Sequence, residues 1–314
     1  MSARLLLITA DDFGIGPETS RGILELGRRG VVTSTVLLVN SPFAELAVQH
    51  WIAAGRPLEL GWHPCLTLDA PVLPPHQVAS LVTPSGQFHS LGQFLLRLLL
   101  GQINIAQVQA ELRAQLHRFI ELVGHPPVTV NAHHHIHIIP PVAATLGVVL
   151  GELTAAPYVR RVVEPLPALW QISGGRLKRT VLHCWGRWAA YHYRRFPGND
   201  VLLGITGFRR VPDHRFFNRW LLAARGQVVE LCCHPGYLDS ALHNRDPDHS
   251  QRRQRELELL AAPDFLAAVR RAGFCLATAA AVRSLYPWAG RSKARSQSGS
   301  FAASSSGLAA RSVT

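Results

Sequence analysis

Apolar residues open the chain as a short unbroken run at 5–9, which predicts a strand buried on both faces. Asp11-Asp12-Phe13-Gly14 breaks that run. Over 17–29, Ile23, Leu24 and Leu26 then fall at helical spacing, with Pro17 suited to a first turn. The β-branched stretch 31–39 reads as a second strand, 41–54 as a helix, and 58–68 contains a third strand ending near Gly61-Trp62-His63. Residues 71–91 form a turn-rich excursion. A helical stretch over 94–123 is interrupted around Gly101, and 128–139 predicts another strand before a helix that opens at Pro140. Between 165 and 200 the pattern blurs; strands return at 228–232 and, more weakly, at 273–278. Strands alternating with helices predict an α/β fold built on a parallel sheet or barrel, with functional groups at the C-terminal strand ends. From 290 onward Ser, Ala, Gly and Arg dominate without apolar period. The expectation is therefore a single domain over 1–289 and a disordered tail over 290–314.

Composition narrows the class. Of 314 residues, 47% are hydrophobic and 17% charged, which excludes a mostly disordered chain. No run approaches the ~18 apolar residues needed to span a bilayer, and Arg97 interrupts the greasy stretch 94–100. The apolar start is shorter than a signal-peptide core and runs into two aspartates, so a cytoplasmic protein is expected. The five cysteines (65, 184, 232, 233 and 275) show no ligand-like spacing and predict no disulfide framework. The net charge of +12 suggests anionic neighbours, phospholipid or nucleic acid. No nucleic-acid module is recognisable, so nucleic acid is not an expected partner, and a non-enzymatic basic binding protein is the weaker alternative. The 16 histidines, four of them within residues 133–137, point to a metal.

Asp11 and Asp12 stand where the first strand should end. Adjacent strand residues point in opposite directions, so the two carboxylates can take separate roles only if the chain turns, which Gly14 and Gly16 permit. The alternative is a helix N-cap. His63 ends another strand, as a ligand or as a hydrogen-bonded structural residue. In Asn131-Ala132-His133-His134-His135-Ile136-His137, a strand would put His133, His135 and His137 on one face and His134 on the other. Neutral imidazoles packed together are costly to bury unless a divalent cation takes their lone pairs; stacked core histidines are the alternative. His234 follows the apolar run 228–231, with Pro235 and Gly236 exposing it at the strand tip. Site residues drawn from the ends of several strands suit a barrel enzyme. A metal-dependent hydrolase of phosphoesters or cyclic amides is the rival enzyme, but such enzymes generally carry their His-x-His pair on the first strand.

Together, Thr9-Ala10-Asp11-Asp12-Phe13-Gly14, Val32-Thr33-Ser34-Thr35, Gly61-Trp62-His63, the histidine block and Cys233-His234-Pro235-Gly236 resemble the motifs of the YdjC-like carbohydrate deacetylases. This family includes chitooligosaccharide deacetylase and the hopanoid-biosynthesis protein HpnK. Order and spacing agree over about residues 4–285. The resemblance implies a distorted (β/α) barrel of the glycoside hydrolase/deacetylase type that removes the N-acetyl group of an amino sugar. It also implies one divalent metal ion, Mg2+ or Zn2+. By the same resemblance, Asp12, His63 and His133 match the metal ligands, Asp11 the catalytic base and His234 the acid. Asn131, His135 and His137 fall among substrate-contacting or supporting positions. The family usually has Asp where this chain has Asn131, which removes a carboxylate from the surroundings of His133; asparagine also occurs there in the HpnK-like branch. Trp62 replaces a smaller residue.

The blurred region is rich in positive charge. Arg160, Arg161, Arg176, Lys178, Arg179, Arg187, Arg194, Arg195, Arg209, Arg210, Arg215 and Arg219 interleave there with Trp170, Trp185, Trp188, Tyr191, Tyr193 and Phe196. Over 177–196 this pattern suits a helix on an anionic membrane surface, against the alternative of a barrel helix whose aromatics pack inward. With the HpnK resemblance it suggests a lipid-linked amino sugar and a location at the inner face of the membrane.

Overall fold

The computed structural model of the chain describes residues 4–207, 211–242, 245–246 and 250–286. The tail expected over 290–314, its boundary at 289, and Arg209 and Arg210 lie outside these residues.

The first run forms β1 (Arg4–Phe13), longer than the sequence pattern suggests, and Leu6, Leu7 and Ile8 are fully buried on both faces. It is followed by α1 (Pro17–Arg28), β2 (Ser34–Leu37), α2 (Ala44–Ala53) and β3 (Glu59–Trp62). An excursion with a bridge between Val82 and Phe88 leads to α3 (Leu91–Leu99), which starts on a Ser90–Gln93 capping box, and then α4 (Ile105–Val123). Next come β4 (Thr129–Val130), α5 (Pro140–Leu150), β5 (Tyr158–Val159), α6 (Leu166–Gln171), α7 (Arg176–His192), β6 (Val201–Leu203) and α8 (Phe216–Ala223). The chain continues through β7 (Val228–Cys233), α9 (Ser250–Ala261), α10 (Phe265–Arg271), β8 (Phe274–Leu276) and α11 (Ala279–Ser284).

All eight strands join one parallel sheet in the order β5-β4-β3-β2-β1-β7-β6, with β8 also paired to β1. β5 and β6 end this order and share no ladder. Irregular backbone joins them instead: Val159 N–H donates to Pro197 O at 2.8 Å and Leu202 N–H to Val163 O at 2.8 Å. Asn199 clamps the same seam, accepting from Arg161 N–H at 2.8 Å and donating to Arg161 O at 2.7 Å. The result is a distorted (β/α) barrel closed by loop contacts. Among the described residues, no helix is long and apolar enough to cross a membrane.

The structure departs from the sequence pattern most at the histidine block. The ladder of β4 stops at Val130, and His133–Ile138 coil into a 3-10 turn in place of the strand expected over 128–139. His134 and His135 take left-handed backbone there, with φ of 54° and 55°. Such conformations are costly for residues other than glycine and concentrate at functional sites.

Candidate active site

The split between the two aspartates originates in β1. Pairing with β2 slips between Ala10 and Phe13, and Asp12 adopts φ 65° within that bulge. The bulge, rather than the glycines alone, aims the two neighbouring carboxylates at different partners.

Asp11 is the anchored one. Arg160, fully buried just past β5, donates Nη1 to Asp11 Oδ2 at 2.6 Å and Nη2 to Oδ1 at 2.8 Å, while its Nε donates to Glu230 Oε1 at 2.8 Å. Asn131 Nδ2 adds a bond to Asp11 Oδ1 at 3.3 Å, and the Cys232 thiol donates to Oδ2 at 3.2 Å. Burial alone would raise the Asp11 carboxyl, but the Arg160 guanidinium outweighs it and holds the group well below the ordinary carboxylate range. His234 Nε2 lies 3.9 Å from Asp11 Oδ2, and its backbone N–H is held by Glu256 at 2.6 Å. Burial pulls the His234 imidazole down to about 4 against the opposing pull of Asp12 and Asp11, so it rests neutral near pH 7.

Asp12 gathers the other group. His133 Nδ1 is 2.8 Å and His63 Nε2 3.2 Å from its Oδ1, while Arg253 Nη2 takes Oδ2 at 2.6 Å. His63 donates Nδ1–H to the Asn131 carbonyl at 2.9 Å, which fixes its tautomer and turns the Nε2 lone pair toward Asp12. In that tautomer the Nε2 lone pair and the Asp12 carboxylate are two acceptors facing one another, an arrangement that a cation relieves. Burial lowers the His133 imidazole, but the Asp12 charge and hydrogen bond raise it above its ordinary value. That proton is the positive charge a metal ion would replace. The ligand atoms of Asp12, His63 and His133 lie within 4.8 Å of one another, so one carboxylate and two imidazoles fit a divalent cation. Both aspartates, His63, His133 and His234 line one cavity of about 650 Å³.

Residues 5–271 match the YdjC-like protein family. The chain belongs to that family. It is 32% identical over 282 residues to the carbohydrate deacetylase of Mus musculus, covering 83% of this chain and 89% of that protein. It is 30% identical over 278 residues to the chitooligosaccharide deacetylase of Enterobacter sp. (strain 638), covering 87% of this chain and 97% of that one. A solved structure from Enterococcus faecalis V583, described as a candidate cellobiose-phosphate cleavage protein, aligns with a TM-score of 0.71. Its identity is 26%, with 91% of this chain and all of that chain (100%) covered.

The remaining predicted positions of this YdjC-like chain divide by their contacts. His137 braces the turn: its Nδ1 accepts from Ala132 N–H and its Nε2–H donates to Arg160 O, both at 3.2 Å. Neither nitrogen is open to a ligand. His135 lines the cavity, and its buried Nδ1 has no partner among the described residues. His134 meets Thr67 Oγ1 at 2.9 Å and stacks on His133 with ring centroids 4.0 Å apart. The Asn131 side chain touches Asp11 rather than His133, so its effect falls on the Asp11 carboxylate. Trp62 points from β3 into the core, opposite to His63, and does not line the cavity.

Three contributors were missed by sequence reasoning. Arg160 was counted with the surface cations, yet it and Arg179 are fully buried, the latter on Glu164 at 2.7 Å. Arg253, which sequence reasoning did not single out, lies on α9 and joins Asp12 at 2.6 Å to Asp246 at 2.7 Å. Glu230, in the middle of the apolar run of β7, was the one available signal, since a buried carboxylate requires a cation.

Proposed function

We propose that this YdjC-like protein is a carbohydrate N-deacetylase that hydrolyses the acetamido group of an N-acetylated amino sugar and releases acetate. The observation that carries this reading is the division of labour between neighbouring carboxylates in one cavity: Asp12 with two imidazoles, Asp11 with His234. Asp12, His63 and His133 would hold one divalent cation, and that ion would polarise the acetyl carbonyl and acidify the attacking water. Two nitrogen donors in three favour Zn2+ or a similar transition metal over Mg2+. Arg253 occupies Oδ2 of Asp12 and leaves Oδ1 as the coordinating oxygen.

The chain's own groups then manage the protons. Asp11 receives the proton of the attacking water as the new C–O bond forms. Because Arg160 makes Asp11 a poor permanent proton holder, that proton passes readily to the neutral His234 nearby. His234 then delivers it to the sugar nitrogen as the C–N bond breaks. An acid that rests neutral and is charged during turnover agrees with the depressed imidazole.

The finer reading is a lipid-linked amino sugar. Leu91, Leu95, Ile139, Val181, Leu182 and Trp185 line the cavity beside the polar centre, more apolar wall than a free oligosaccharide requires. The test is acetate release from a panel of N-acetylglucosamine compounds, soluble and lipid-linked, with metal content measured on the same sample. Phosphate-ester hydrolysis without acetate release would overturn the deacetylase reading.

A further inference from the structure

α7 has three faces. Arg179, His183, Gly186 and Ala189 are buried against the barrel, while Lys178, Leu182 and Trp185 border the cavity together with Val181, which stands at the edge between the cavity and the outward face. The third face looks outward and is apolar: Leu177, Val181, Cys184, Trp188 and Tyr191 follow one another at spacings of four, three, four and three residues. All five are exposed, Leu177 at 81% and Tyr191 at 64%. That spacing forms one stripe along the helix. The aromatics of this stretch therefore divide: Trp188 and Tyr191 face outward, while Tyr193 and Phe196 are buried in the core and Trp185 packs against it. Nearby α6 adds Trp170, 76% exposed. Across the cavity mouth, α3 lines the cavity with Leu91 and Leu95 and exposes Leu96 and Leu99, the latter at 84%.

Arginines flank the stripe. Arg176, Arg187 and Arg194 are exposed along its edge, and Arg194 lies over the Tyr191 ring at 4.2 Å. Apolar and aromatic side chains bordered by cations are what an interfacial helix presents to anionic lipid. A second copy fits this face less well. Two-fold pairing would bring the same arginines of both copies together without intervening acids on α7, a like-charge clash.

We infer that the outward stripe of α7, with Trp170 and the leucines of α3, is a docking face for an anionic lipid surface, which sets the cavity mouth against the headgroups. This deepens the lipid-linked reading above, since a substrate held in the bilayer would meet the site without leaving it.

The test is sedimentation with vesicles of pure phosphatidylcholine and of equimolar phosphatidylcholine and phosphatidylglycerol, at low and high salt. The full chain should bind the anionic vesicles, release them as salt rises, and bind the neutral ones weakly. Leu177→Glu/Trp188→Glu should weaken anionic binding by about tenfold or more while leaving hydrolysis of a water-soluble substrate and the thermal midpoint unchanged. Failure to bind either vesicle overturns the inference. So does equal binding by the variant, or a dimer by light scattering that the variant dissolves. Vesicle binding without acetate release would instead count against the deacetylase reading and leave the docking face standing.

Discussion

Arg160 grips Asp11 with both arms of its guanidinium, at 2.6 and 2.8 Å, in a pair sealed from solvent and backed by Glu230. The fork fixes the plane of the carboxylate as well as its charge.

Arg160→Met would strand Asp11 and Glu230 in the interior. Breaking a buried pair in this way costs about 3–5 kcal/mol, so urea unfolding should show a loss of that size. Arg160→Lys keeps the charge but loses the fork, and should cost activity more than stability. A Met variant as stable as the parent would show that the pair does not hold the site together.

The proposed metal site gives a sharper test. His63→Ala removes one of three protein donors, and both bound metal and turnover should be lost. Metal analysis after desalting decides the matter. Full occupancy in the variant would mean that another group, with His135 the nearest unpartnered imidazole, supplies the ligand.

Asp11→Asn separates the base from the ligands. The variant should retain its metal and lose turnover by about 10²–10⁴-fold, the usual effect of removing a general base. Loss of metal together with rate would mean that Asp11 is itself coordinated.

Much of this arrangement was legible in the sequence. Apolar runs of β1, β2, β3 and β7 stand clear of their surroundings, and Asp11, Asp12, His63 and His234 follow them at strand ends. The two-residue strand β5 left no periodic trace, because so few residues cannot display an alternation, and β4 was legible only as the start of the longer strand expected over 128–139. Arg160 was hidden for the same reason, since without β5 it has no strand end to occupy. The histidine block misled through its regular i, i+2 spacing. Two left-handed residues, which no pattern of polarity reveals, separate His133 beside Asp12 from His137 in its brace.

Acid should reveal that brace. Burial first, and the Arg160 charge second, pull the His137 imidazole from its ordinary 6.5 down to about 3. Burial likewise drives His134 and His135 well below their ordinary range. At these three imidazoles the unfolded chain therefore binds protons that the native one refuses, so their contribution to stability is complete above about pH 6.5 and declines as pH falls toward 3, while the raised His133 works in the opposite sense. His137 alone should cost about 2 kcal/mol by pH 5. Asp11 and Asp12, whose carboxyls are lowered, add their losses only below about pH 4. Urea midpoints of chelator-treated protein at about pH 7.5 and pH 5 measure the difference. Coincident midpoints would show that the buried imidazoles do not resist protonation.

Gly186 fixes how α7 sits. A Cβ there would lie 1.8 Å from the Val162 carbonyl oxygen, so helix and barrel meet backbone to backbone. Arg179, two turns earlier on the same face, is locked by Glu164 and by the Ala168 carbonyl at 2.7 Å. A helix keyed so tightly has no room to roll. It cannot turn its greasy side inward when lipid is absent, and any shelter for that side must come from outside the fold.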